Sequence, residues 1–188
     1  MRIIAGNAKG IRLKMVPGNH VRPTADRVKE SLFSVIGPFF DGGKVLDLFA
    51  GTGSLGLEAV SRGMDHVFFV DQSQASLRIA KENAVHCGLA DEAQYLRRDA
   101  RSALKYFGTQ GLQFDLIFLD PPYHEGLLEP VLVLLEEKEL LSPNGLLVVE
   151  HPHNLNLHLP NSSYTVTREL SYGDITITLL EQKGATRA

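Results

Sequence analysis

Val45-Leu46-Asp47-Leu48-Phe49-Ala50-Gly51-Thr52-Gly53-Ser54-Leu55-Gly56 runs from an apolar strand through a Gly-x-Gly-x-x-Gly turn into a helix. The glycines let the backbone turn sharply and come close to a ligand. Alone, the motif also fits a tight strand-to-helix turn that binds nothing. The order of elements around it decides the fold. Strands are expected at Val45–Phe49, Val67–Asp71, Gln94–Arg97, Asp115–Asp120 and Leu146–Glu150, and helices at Ser54–Arg62, Gln74–Cys87, Arg101–Phe107 and Leu127–Lys138. Most of the strands are short and apolar, as strands covered on both faces should be. This alternation predicts an α/β fold, a mainly parallel sheet with helices on both sides. Tyr164–Leu170 and Ile175–Glu181 tend to alternate around Ser171-Tyr172-Gly173-Asp174, and read as a terminal antiparallel hairpin.

Before the glycine turn the pattern changes. Arg2-Ile3-Ile4-Ala5 and Ile11-Arg12-Leu13-Lys14-Met15-Val16 flank a Gly/Asn turn and read as a β-hairpin with one basic face. Thr24 is a plausible N-cap for a helix over 25–36, with Val28, Leu32, Val35 and Ile36 as its apolar stripe. Two units are therefore expected, an extension at 1–43 and the main domain at 44–188.

At 188 residues and 44% hydrophobic the chain is long enough to bury a core, and its composition excludes a disordered or collagen-like polymer. The single Cys87 excludes an intramolecular disulfide and reads as a small buried hydrophobe near a helix end. Apolar runs are too short for a membrane span, the first residues lack a signal-peptide pattern, and the expected address is the cytoplasm. His151-Pro152-His153 is too short and constrained for a helical metal pair, so no metal is expected, and these histidines together with His158 are expected on a solvated loop.

The net charge of -3 conceals an asymmetry. Residues 1–30 hold Arg2, Lys9, Arg12, Lys14, Arg22, Arg27 and Lys29 against Asp26 and Glu30, so the start of the chain is basic and the rest acidic. A basic arm on an acidic body can mark a face that binds a polyanion, or simply a solvated start to the chain.

Three aspartates stand where a strand can present them to a nucleoside cofactor. Asp71 lies 20 residues beyond Gly51, where a carboxylate can accept from both ribose hydroxyls, or cap the next helix. Asp99-Ala100 can meet an adenine edge, and Asp99 can equally cap the helix after it. Asp47 precedes the glycines inside the first strand. It would crowd a pyrophosphate but can pair with the ammonium of a methionine moiety, which favours a sulfonium cofactor over a nicotinamide.

Phe114-Asp115-Leu116-Ile117-Phe118-Leu119-Asp120-Pro121-Pro122-Tyr123 carries the chemistry. Apolar residues run into an acid, two prolines and an aromatic at a strand's carboxyl end, where open α/β sheets bind ligands. The prolines fix the backbone and remove two N–H donors, leaving carbonyls and the Asp120 carboxylate as acceptors for an exocyclic amine. Tyr123 offers a face on which the same base can stack.

These two motifs resemble class I S-adenosylmethionine-dependent amino-methyltransferases. Arg2-Ile3-Ile4-Ala5-Gly6, Arg22-Pro23-Thr24-Ala25-Asp26-Arg27-Val28-Lys29-Glu30-Ser31-Leu32-Phe33 and the closing Tyr172-Gly173-Asp174 narrow the resemblance to the bacterial 16S rRNA guanine-N2 methyltransferase family. The resemblance covers essentially the whole chain. It implies a Rossmann-like methyltransferase sheet, S-adenosylmethionine as cofactor, and methylation of one guanine, position 966 in conventional numbering, in 16S rRNA of an assembling or assembled small ribosomal subunit. It implies a cofactor set of Asp47, Phe49, Ala50, Gly51, Thr52, Gly53, Asp71, Gln72, Asp99 and Ala100, and a catalytic set of Asp120, Pro121, Pro122 and Tyr123. Arg2, Lys9, Arg12, Lys14 and Arg22 are the expected RNA contacts. Arg27 is expected to meet RNA or the cofactor carboxylate, or to form a surface ion pair with Glu30 or Asp26. A monomer is the expected state. The competing readings are an adenine-N6 DNA methyltransferase, which shares Asp-Pro-Pro-Tyr, a non-catalytic assembly factor that binds cofactor and RNA, and a protein methyltransferase acting on a glutamine amide, whose pattern has Asn in place of Asp120.

Overall fold

The structure, a computed structural model, describes residues 1–18, 25–123, 125–157, 159 and 161–186. Helix α1 (Ala25–Ile36) comes first, and strands β1 (Lys44–Asp47), β2 (His66–Asp71), β3 (Ala93–Arg97) and β4 (Phe114–Leu119) come after it. Helices α2 (Ser54–Ser61), α3 (Gln74–His86) and α4 (Ala100–Thr109) connect these strands in turn. Then come α5 (Leu128–Glu137), β5 (Leu141–Pro152), β6 (Tyr164–Tyr172) and β7 (Ile175–Gln182). The seven strands form one Rossmann-like sheet in the order β3-β2-β1-β4-β5-β7-β6. Strands β1 to β5 are parallel, and β7 and β6 pair antiparallel at one edge. The expected sheet and its terminal hairpin are both present.

Alternation along the strands sorts side chains to two cores. Val45, Val67, Phe69, Leu116 and Phe118 face α1, α2, α3 and the N-terminal segment. Leu46, Val70, Ile117 and Leu119 face α4 and α5. Leu46 and Ile117, one from each of the central strands, are fully buried. Residues 1–36 contribute Ile3, Ala8, Leu13, Leu32 and Phe33 to the first of these cores.

Three expectations need correction. The N-terminal hairpin closes, but through an isolated antiparallel bridge between Arg2 and Arg12 rather than a ladder. Its turn is spent on α2 instead: Asn7 N–H donates to the Ser61 carbonyl at 2.8 Å and Ala8 N–H to Ser61 Oγ at 2.9 Å. Helix α1 spans the expected residues, yet Lys29 and Phe33 are buried while Val28 and Val35 are only partly so. The expected cap, Thr24, lies outside the described residues. Strand β5 starts at Leu141, well before the expected Leu146. Leu141 pairs with Phe114, and a register shift absorbs the extra residues before Leu146 pairs with Leu116.

Lys29 is buried because it has a partner. Glu58 of α2 is completely buried and accepts from Lys29 Nζ at 3.0 Å and Arg62 Nε at 2.8 Å. It also accepts from the backbone N–H of Ile4 at 3.0 Å and of Ala5 at 3.1 Å. Lys29 Nζ donates further to the Arg2 carbonyl and to Ser54 Oγ, so three acceptors take its three protons. Burial pulls the Lys29 ammonium below the ordinary lysine value, and the Glu58 carboxylate opposes that. Arg62 also lies over the Phe33 ring, 4.8 Å from its centroid.

Removing one member of a buried ion pair strands the other, at a cost of about 3–5 kcal/mol. Glu58→Ala should therefore lower unfolding stability by about that much in urea titration, whereas Glu82→Ala, which breaks the exposed Lys14–Glu82 pair, should barely move the midpoint. Equal effects would remove Glu58 from its central role.

Candidate functional site

Strand order reverses between β1 and β4, which makes their shared carboxyl edge the topological switch point of the sheet. Asp47 at the end of β1 stands in register with Phe118 of β4, so both motif loops leave the sheet side by side. A cavity of about 1180 Å³ opens there. The first loop lines it with Asp47, Phe49, Ala50, Gly51 and Thr52, the second with Asp120 and Tyr123. Helix α1 adds Arg27, Lys29 and Ser31, and the β6–β7 turn adds Tyr172, Gly173 and Asp174.

The first loop is built for close approach. Gly51 has a positive φ of 54°, and a Cβ there would point into open space. At Gly56 a Cβ would fall 2.6 Å from both Phe69 and Val67, so glycine there lets α2 sit tightly on the sheet. Gly53 marks the start of α2 in a left-handed conformation. Asp71 accepts from Gly51 N–H at 3.0 Å and from Ser73 N–H at 2.8 Å, tying the loop to the end of β2. The cap of α3 is Ser73, not Asp71. Asp99 does cap α4, accepting from Ser102 N–H at 3.1 Å. Asp71, Gln72, Asp99 and Ala100 stand at or just past the carboxyl ends of β2 and β3 and lie beyond the cavity lining.

Asp47 is buried and accepts from Gly56 N–H at 3.1 Å. Burial pushes its carboxyl up to about 7, with the Gly56 N–H opposing and the Asp71 charge adding. An acid held there is poised to ionise when a cation arrives.

In the second loop, Pro121 is buried while Asp120, Pro122 and Tyr123 are exposed. Tyr123 O–H donates to Glu150 Oε1 at 2.8 Å, which steadies a ring that is 36% exposed. Sequence reasoning misses Glu150, although it lies near the end of the strand beside β4, on the same edge. It also misses Ser31 and Tyr172 as a pair; their hydroxyl oxygens lie 2.6 Å apart and join α1 to the β6–β7 turn.

The basic arm is less free than its composition suggests. Asp26 takes the Arg2 backbone N–H at 3.3 Å and lies 3.7 Å from Arg2 Nε. Lys14 pairs with Glu82 at 2.9 Å. Lys9 and Arg12 are exposed, Arg27 is exposed on the cavity rim, and Arg22 lies outside the described residues. The tail histidines correct another expectation. His151 is buried within β5, its Nε2 2.8 Å from Thr178 Oγ1, whereas His153 is exposed. The strand extends past Glu150 because β7 pairs with it as far as Pro152. His158 lies outside the described residues. Among the described residues no three His, Cys, Asp or Glu side chains cluster as a metal site would require. Cys87 is buried, as expected, and burial pushes its thiol up.

The Asp47 carboxyl titrates near 3.8 when unfolded and near 7 when folded. Its contribution to stability is thus present below the lower value and lost as the pH rises through the upper one. Asp47→Asn should gain stability relative to the wild type as the pH rises from about 4 to 8, read by thermal unfolding. A constant difference over that range would contradict a buried, proton-holding Asp47.

Residues 1–181 match the family model described as Conserved hypothetical protein 95. The Bacillus subtilis protein named Putative rRNA methyltransferase YlbH is 42% identical over 184 residues, covering 98% of this chain and 100% of that protein. Ribosomal RNA small subunit methyltransferase D of Haemophilus influenzae is 36% identical, over 96% of this chain and 93% of its own. The solved structure of the Escherichia coli protein yhhF, a putative methyltransferase, matches with a TM-score of 0.83 at 32% identity, covering 97% of each chain. With a family match from residue 1 to residue 181 and relatives aligned over nearly their whole length, the chain belongs to the Conserved hypothetical protein 95 family, alongside ribosomal RNA small subunit methyltransferase D.

Proposed function

We propose that the chain is an S-adenosylmethionine-dependent rRNA methyltransferase, and that it methylates the exocyclic N2 of guanine 966 in 16S rRNA of the small ribosomal subunit. The observation that carries this reading is one cavity at the switch point, lined by both Asp47 with its open glycine loop and Asp120 with Tyr123. The names of the relatives support rRNA as the substrate class. Residues 1–43 act as an RNA-binding extension of the catalytic unit at 44–188.

The cofactor supplies a methyl group on a positively charged sulfur, already electrophilic. When bound, it would be held by Asp47 at its ammonium, by Asp71 at its ribose, and by Asp99 with Ala100 at its adenine. The chain must then align an amine whose lone pair is spread into the guanine ring. Asp120 and the Pro121 carbonyl accept its hydrogens and favour a nucleophilic geometry. Tyr123, steadied by Glu150, stacks the extruded base. The methyl would pass to the amine nitrogen, and the electron pair of the broken C–S bond would stay on the departing thioether sulfur. The amine then loses a proton, which Asp120 takes or passes to water.

Asp120→Ala should cut methyl transfer by about a hundredfold or more while leaving cofactor binding largely intact by calorimetry. Near-normal turnover would sink the catalytic assignment. Stacking on an aromatic is worth about 1–3 kcal/mol per base, so Tyr123→Ala should lower kcat/KM by roughly tenfold to a hundredfold. Tyr123→Phe keeps the ring and should lose less; equal losses would argue that the hydroxyl, not the ring, matters. The overall reading is tested by tritiated methyl transfer to unmethylated small ribosomal particles, naked 16S RNA, DNA and protein, with nucleoside analysis. N2-methylguanosine is expected, and N6-methyladenine in DNA would overturn it.

A further inference from the structure

A second concavity, of about 580 Å³, lies away from the switch point, between the N-terminal hairpin and α3. Its lining includes Arg12 and Lys14 from the hairpin and Arg78 and Lys81 from α3. All four of these cations are exposed. Among the described residues the only acid in the lining is Glu82, and Lys14 already occupies it at 2.9 Å. Arg78, Lys81 and Val85 recur at helical spacing, so they share one outward face of α3, while Leu77, Ala80 and Ala84 face the core. Val85 is 60% exposed and gives the groove an apolar wall.

A buried side chain ties this groove to the cavity. Asn83 of α3 accepts from Lys14 N–H at 2.7 Å and donates to the Lys14 carbonyl at 3.0 Å. Its amide also donates to the Thr52 carbonyl at 2.9 Å, and Thr52 lines the large cavity. A strand held in the groove is thereby placed in a set relation to the cofactor loop.

Resting on the functional reading above, we propose that this groove binds the phosphate backbone of the RNA whose target base enters the cavity, so that the RNA-binding face continues from the arm onto α3 through Arg78 and Lys81. The charge balance selects a polyanion: cations from the hairpin and from α3 meet its phosphates, and the exposed Val85 meets a ribose or base face. An acidic protein segment is the competing occupant.

The test measures the affinity of the full chain for unmethylated naked 16S RNA and for small ribosomal particles across a range of salt. The double variant Arg78→Ala/Lys81→Ala is compared with Lys105→Ala/Arg168→Ala, which removes exposed cations from α4 and β6. Removing one phosphate-binding cation should flatten the dependence of log affinity on log salt by about one unit. The groove variant should therefore show a slope shallower by about two units on naked RNA, with cofactor binding unchanged and the control like the wild type. An unchanged slope overturns the proposal. So does weaker binding to particles but not to naked RNA, which would assign the groove to a protein. If the wild type makes no N2-methylguanosine in RNA, the functional reading itself has failed; if it does and the slope is unchanged, only the groove has.

Discussion

The structure depends on one buried carboxylate. Glu58 has no contact with water, and its oxygens are satisfied by two cations and by the backbone of the first residues of the chain. An isolated carboxylate so placed would be strongly unfavourable, and its partners come from separate segments. Helix α1 brings Lys29, the end of α2 brings Arg62, and the N-terminal segment brings two N–H groups. The charge can be accommodated only when all of them are docked. That requirement joins the N-terminal segment to the sheet and sets α1 over the cavity, where Arg27 and Ser31 form part of its wall.

From that frame the site arises by topology. The reversal of strand order at β1 and β4 leaves a crevice that neither adjoining loop fills. The sheet brings together there Asp47 from one motif and Asp120 with Tyr123 from the other. The antiparallel end adds a wall rather than merely closing the sheet: β7 extends β5 past Glu150, and the turn before it carries Tyr172 to Ser31.

The sheet, the helix order and both motif loops are legible in the sequence because their signals are local. A run of apolar residues, a glycine turn or an acid followed by two prolines carries its meaning within a dozen positions. Lys29 is not legible, since it looks like one more basic residue in a basic arm. Its role is fixed by Glu58, a residue of a different helix. Glu150 for Tyr123, and Asn83 for Lys14 and Thr52, are likewise defined by partners distant in the chain. His151 reads as a loop residue because the strand's extension depends on a pairing partner later in the chain. Sequence reading lacks pairing across the fold, and with it the places where polar groups are buried.

The N-terminal segment is anchored mainly through its backbone. Glu58, Ser61 and Asn83 grip it through peptide groups at Ile4, Ala5, Asn7, Ala8 and Lys14 rather than through its cationic side chains. Spacing and backbone path are therefore constrained, while the charged side chains add only the exposed pairs of Arg2 with Asp26 and Lys14 with Glu82. A one-residue insertion between Ile4 and Ala8 would put the peptide groups that Glu58 holds out of step with those that Ser61 holds.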